Sequence, residues 1–191
     1  MSIPLNWYDR AIAPVSPEPH ASKFAEWVFE SSVLRPDREP LPDSEKKRCM
    51  KLGVNLHRDI ELFLYSNWAQ NLLGVEANKH WSLYFVDLEN GSSRNFVASR
   101  LKVNGQPLGC RPDLVLENTR TNEFIIIERK TTFVPEPRIP ANGWPNVEAQ
   151  LWCYSWIDEF KDANDVLLIG QLWQRLGPEA SRMCHEHSHW R

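Results

Sequence analysis

Asp113, Glu128 and Lys130 are the residues whose types and spacing could do chemistry together. "GCRPDLVLE" places Pro112-Asp113 where a β-branched, apolar stretch begins, a position at which a strand tolerates proline. "FIIIERKTT" (Phe124 to Thr132) drives four apolar residues straight into Glu128-Arg129-Lys130. Between the two, "NTRTNE" has the length of a hairpin connection, so antiparallel strands can bring Asp113 beside Glu128 across 128 − 113 = 15 positions. Side chains alternate along a strand, so Glu128 and Lys130 share one face while Arg129 points away. Two neighbouring carboxylates repel and raise each other's pKa. A hard divalent cation removes that penalty, because Mg²⁺ and Mn²⁺ prefer oxygen ligands. The lysine can then orient or deprotonate a water and stabilise charge developing on a phosphate. Phosphodiester hydrolysis is the reaction such an arrangement suits. The plainer alternative is a strand-end salt bridge, worth at most about 1 kcal/mol if exposed.

The elements that must position these residues are legible along the chain. "KHWSLYFVDLE", "RNFVASRLKVNG", "PLGCRPDLVLEN" and "NEFIIIERKTT" read as four successive strands, most easily an antiparallel meander, with turn signals at Asn90-Gly91 and Asn104-Gly105. "NVEAQLWCYSWIDEF" reads as a helix and "DVLLIGQLWQR" as a further strand. Upstream, the stretch from Pro42 to Gly74 carries a capping residue at Asp43 or Ser44. It also has apolar residues at helical spacing from Met50 to Leu72, giving one long helix or two in line. Residues 1–42 form a proline-rich arm with one short helix at "SKFAEWVFESSVL", residues 43–180 the domain, and residues 181–191 a histidine-rich tail. The order of elements predicts an α/β (α+β) class with a mixed central β-sheet flanked by helices.

Composition bounds the function. The chain has 191 residues, 42% hydrophobic and 25% charged, enough for one domain with a core, or one domain and an arm. A net charge of −3 excludes whole-molecule attraction to nucleic acid, so a polyanion must be held by a local patch or through metal ions. No apolar run reaches the length of a membrane span and no basic-then-apolar leader opens the chain, so a cytoplasmic location without membrane contact is the expectation. Cys49, Cys110, Cys153 and Cys184 are scattered without a CxxC pair, which predicts buried free thiols. "MCHEHSHWR" lacks the paired spacing of a zinc site.

"RPDLVLE…FIIIERK" resembles the signature of the PD-(D/E)XK nuclease superfamily, with Pro112-Asp113 and Glu128-Arg129-Lys130 in the signature positions. Two further stretches look like the RecB-like branch, which includes nuclease modules of recombination helicase-nucleases and of CRISPR adaptation. Gln150 and Tyr154 match its Q-xxx-Y helix, and Gly53 and His57 its G-xxx-H helix. The matches run from Gly53 to Tyr154.

The resemblance implies a restriction-endonuclease-like core and a metal-dependent DNA nuclease. Asp113, Glu128, His57 and the Arg129 backbone carbonyl would ligate Mg²⁺ or Mn²⁺, Lys130 would serve the attacking water, and Gln150 and Tyr154 would position the catalytic groups or the substrate strand. An imidazole ligand suits Mn²⁺ better than Mg²⁺. Glu61, one turn from His57, could orient that imidazole, and Glu148 is a weaker site candidate. Arg94, Arg100, Lys102, Arg111 and Arg138 could contact phosphates. The cysteines lack the clustered spacing of the iron–sulfur staple found in several members, so no such cluster is expected. Without helicase or specificity domains, an exonuclease in repair, recombination or defence is favoured, with a protein partner able to supply substrate access. The alternatives are a non-catalytic subunit of the same fold that binds DNA or protein, and a nuclease acting on RNA.

Overall fold

The computed structural model describes residues 18–32, 44, 80–87, 94–132, 145–175 and 181–191. Gly53, His57, Glu61, Cys49 and Arg138, with all but Ser44 of the long helical stretch expected between Pro42 and Gly74, lie outside the described residues.

The protein is mixed α+β, with a central mixed sheet flanked by two helices. The described elements are α1 (Ala21–Ser32), β1 (Trp81–Val86), β2 (Phe96–Val103), β3 (Gln106–Cys110), β4 (Leu114–Asn118), β5 (Glu123–Thr132), α2 (Pro145–Tyr154), β6 (Asp165–Arg175) and β7 (Ser181–Trp190). A five-stranded sheet has the order β1-β4-β5-β6-β7, and β2 and β3 form a separate two-stranded ribbon. Parallel neighbours need a crossover connection, and α2 lies in the one between parallel β5 and β6.

β5 explains the apolar run that opens the candidate signature. It sits between β4 and β6 and is covered on both faces, so its interior is continuously hydrophobic rather than alternating. Phe124 and Ile126 join Val115, Val166 and Leu168 beneath Phe24 and Val28 of α1 and Val147 and Leu151 of α2. Ile125 and Ile127 pack on the other face with Leu114 and Leu116, beside Trp81, Leu83, Leu167 and Ile169. Each such side chain contributes roughly 1.5–3 kcal/mol by leaving water. The strand is therefore held rigidly up to the point where its charges begin.

Three expectations need correction. The four-strand meander is five strands, because "PLGCRPDLVLEN" breaks at 111–113 into β3 and β4. Pro112 has no N–H to give a ladder, and the chain uses that gap to pass from the ribbon to the main sheet. β1 pairs with β4 rather than β2, while β2 and β3 pair through the Asn104-Gly105 turn, whose φ values of 52° and 78° fit a two-residue hairpin loop. The helix ends at Tyr154, and "DEF" continues as a separate 3-10 turn, Asp158–Phe160. The third concerns the terminal residues read as a tail: Ser181–Trp190 is strand β7, antiparallel to β6. Its polar sequence gives no apolar alternation because it borders the sheet beyond β6 rather than crossing the core.

Among the described residues, no helix is long and apolar enough to cross a membrane.

Candidate functional site

β4 and β5 pair with Leu114 opposite Ile127, and the register carried one step further sets Asp113 opposite Glu128. That step is secured by a hydrogen bond: the Arg129 N–H donates to Asp113 Oδ2 at 2.5 Å. Backbone N–H and C=O of one strand residue point to the same edge, so the Arg129 carbonyl is also turned toward Asp113. The two carboxylates and this carbonyl thus converge where β4 begins and β5 nears its end.

Glu128 is fully enclosed, and each of its oxygens has a partner. Lys130 Nζ donates to Oε1 at 2.6 Å, and the Tyr154 hydroxyl lies 2.9 Å from Oε2. The Gln150 amide donates to the same hydroxyl at 2.6 Å, and the Arg111 carbonyl lies 2.9 Å from it. The phenol has one proton for two acceptors, so the cluster serves either state of Glu128. A carboxylate accepts from Tyr154, whereas a carboxylic acid donates to it and releases the phenolic proton to Arg111. The i, i+4 spacing of Gln150 and Tyr154 is what lets α2 present both groups to one point.

Burial, reinforced by the Asp113 charge, pushes the Glu128 carboxyl up to about 7, against the opposing pull of Lys130 and Tyr154. Burial alone would depress the Lys130 ammonium, but Glu128 and Asp113 outweigh it and hold the group above its ordinary value. Its side chain is 30% exposed, so the ammonium bridges the enclosed pair and solvent. Burial, then the same two carboxylates, raise Tyr154 well above the usual phenol range, which keeps it a neutral donor.

Arg129 points to the opposite face, as alternation requires. It is one of the largest fully buried side chains, and its Nε donates to Gln171 Oε1 at 3.2 Å. Gln171 in turn donates to Glu186 on β7 at 2.7 Å.

No family model, curated protein or solved structure matches this chain. The site therefore stands on its own geometry.

That geometry brings together five of the residues singled out in the sequence: Asp113, Glu128, Lys130, Gln150 and Tyr154. Glu148 is not with them; it lies half-buried near His189 of β7, whose charge opposes the upward effect of burial on its carboxyl. Arg111 adjoins the site but pairs with Asp87 at 2.5 Å. Among the described residues, no hydrogen bond or ion pair joins Arg100 or Lys102 to the carboxylates. Arg100 instead lies 6.0 Å from the Trp156 ring, and Lys102 is exposed on β2. Arg94 covers the Tyr84 and Phe96 rings. Among the described residues, no third histidine, cysteine or acid completes a metal-sized group. His57, the expected further ligand, lies outside them.

Asp87 was not singled out by the sequence reading. Its N–H donates to the Asp113 carbonyl at 2.8 Å while its carboxylate holds Arg111, so it fixes the backbone on which Asp113 sits. A signal was present: "LYFVD" ends an apolar strand in an acid, as "IIIE" does.

Proposed function

We propose that the protein is a metal-dependent nuclease with a PD-(D/E)XK, RecB-like core, hydrolysing phosphodiester bonds of DNA at Asp113, Glu128 and Lys130. The observation that carries this reading is the burial of two carboxylates facing each other across β4 and β5, with an ammonium 2.6 Å from one of them. A merely structural ion pair would need one acid. Here burial first, and then the Asp113 charge, raise the Glu128 carboxyl, so the second acid adds to the cost of enclosing the first.

The donor set fits a hard divalent cation: Asp113, Glu128 and the Arg129 carbonyl offer only oxygen, with His57 as the candidate nitrogen ligand. When bound, Mg²⁺ or Mn²⁺ would offset the carboxylate repulsion, polarise a phosphate oxygen and acidify a water. The residues of the chain do the rest. The Arg129 N–H fixes the rotamer of Asp113, and Tyr154 and Gln150 fix that of Glu128, so neither acid must reorganise as charge develops. Lys130, bonded to Glu128, is placed to orient or deprotonate the attacking water and to stabilise the charge that develops on the phosphate.

Cleavage assays test the reading. Wild-type chain should cleave linear DNA with Mn²⁺ and not with EDTA, while Lys130→Ala should bind DNA and leave it intact. Equal inertness of both proteins toward single- and double-stranded DNA and toward RNA would overturn it.

A further inference from the structure

The segment preceding α1 reaches the rim of this site. The Gly109 N–H donates to the Pro19 carbonyl at 2.8 Å, and His20 forms a parallel bridge with Gly109. Two residues beyond Gly109 stands Arg111, whose carbonyl meets Tyr154. Glu26, further along α1, lies within electrostatic range of Lys130. The start of α1 thus adjoins the strand that leads to Arg111.

His20 is set up as a donor. The Ser22 N–H donates to His20 Nδ1 at 3.4 Å, and Ser22 Oγ lies 3.0 Å from the same nitrogen. A nitrogen that accepts carries no proton, so the ring proton sits on Nε2. Burial first, then the Arg111 charge with a smaller push from Lys23, depress the imidazole against the opposing pull of Glu18. The ring is neutral at pH 7 and retains its Nε2–H. Among the described residues, no group accepts from that Nε2–H. Arg111 commits one Nη to Asp87, and its side chain remains 37% exposed. His20 is bridged to Gly109, two residues before Arg111, so both donors stand at the site's edge, where an anion could accept a hydrogen bond from each.

We propose that His20 and Arg111 bind a phosphate of the substrate strand beside the one cleaved at Asp113, Glu128 and Lys130. The identity of that strand rests on the nuclease reading, whereas the anion site itself does not. A neutral imidazole with a guanidinium suits a phosphodiester, because it donates two hydrogen bonds while adding one positive charge. The same chemistry would accept free phosphate, so the two sources need separate arms.

The test uses the full chain in EDTA, with fluorescein-labelled oligothymidylate read by anisotropy and ¹⁵N-imidazole NMR as the site-specific readout. His20→Ala should weaken oligonucleotide binding about tenfold with an unchanged melting temperature. His20→Gln, which keeps a donor, should recover most of that loss. The His20 Nε2–H resonance should move on adding oligonucleotide, and less on adding inorganic phosphate. A response to phosphate alone would keep the anion site and reject the nucleic-acid strand as its ligand. Unchanged affinity in His20→Ala, with a resonance indifferent to both anions, would overturn the proposal. Oligonucleotide binding through His20 by a chain that cleaves nothing in Mn²⁺ would support the site and sink the nuclease reading instead.

Discussion

The Arg129 N–H donates to Asp113 Oδ2, so the strand that carries Glu128 and Lys130 also sets the orientation of the acid opposite them. One backbone group thereby locks the side-chain geometry of the pair to the register of β4 on β5. That register is set by the short connection from Asn118 to Glu123, which pair directly across the two strands.

Lys130→Ala removes the one cation bonded to Glu128 among the described residues. On the proposed mechanism kcat falls about 10²- to 10³-fold while KM changes little, since the group acts on charge that develops during reaction. Steady-state kinetics on a labelled linear substrate read both values. A rise in KM with kcat intact would make Lys130 a binding residue.

Tyr154→Phe keeps the packing and deletes the hydroxyl shared by Glu128, Gln150 and Arg111. Two buried groups, on Glu128 and Gln150, and the part-buried Arg111 carbonyl lose a partner, which costs about 1–3 kcal/mol. At roughly 2–4 °C per kcal/mol for a chain of this size, thermal melting should drop by several degrees. An unchanged Tm would mean that the Glu128 cluster is not closed as described.

The raised Glu128 carboxyl makes stability depend on pH. Its folded value near 7 lies above its ordinary value of 4.5, so the folded chain binds that proton more tightly than the unfolded one. The stabilisation is full below about pH 4.5 and is lost as pH climbs to about 7, a change of roughly 3 kcal/mol. In EDTA, urea midpoints should show wild type losing more stability between pH 5 and pH 8 than Glu128→Gln does. Mn²⁺ should restore the wild type at pH 8. Parallel pH profiles for the two proteins would contradict the assignment.

Deleting residues 181–191 distinguishes a strand from a tail. β7 covers β6 from Leu167 to Arg175, and the Arg191 guanidinium donates to the Phe160 carbonyl at 2.7 Å and to the Ser155 carbonyl. The shortened chain should melt earlier and self-associate through the bared β6 edge, visible by light scattering. A truncation with wild-type Tm and a monomeric profile would restore the tail reading.

What was legible in the sequence were the local features. Asn104-Gly105 declares its turn, "DVLLIGQLWQR" marks β6 end to end, and strand alternation alone separates Arg129 from Glu128 and Lys130. The hairpin length of "NTRTNE" was enough to place Asp113 opposite Glu128, because the connection is short and both strands are apolar. The rest depended on long-range pairing, which local patterns do not encode. Nothing in "WSLYFV" says that it skips β2 and β3 to reach β4, and so Asp87 could not be seen to hold Asp113 and Arg111 together. β7 escaped because a polar border strand looks like any exposed segment. His20 escaped because its place beside Gly109 is made by backbone bonds across 109 − 20 = 89 positions.

The most direct measurement of the central claim is calorimetric titration of Mn²⁺ into the metal-free chain at pH 8, beside Asp113→Asn and Glu128→Gln. The account predicts a site in the wild type whose affinity falls at least tenfold in each variant. Affinity rising with pH up to about 7 would accompany it, as Glu128 gives up its proton. Wild-type binding unchanged in both variants, or no binding at millimolar Mn²⁺, would contradict it.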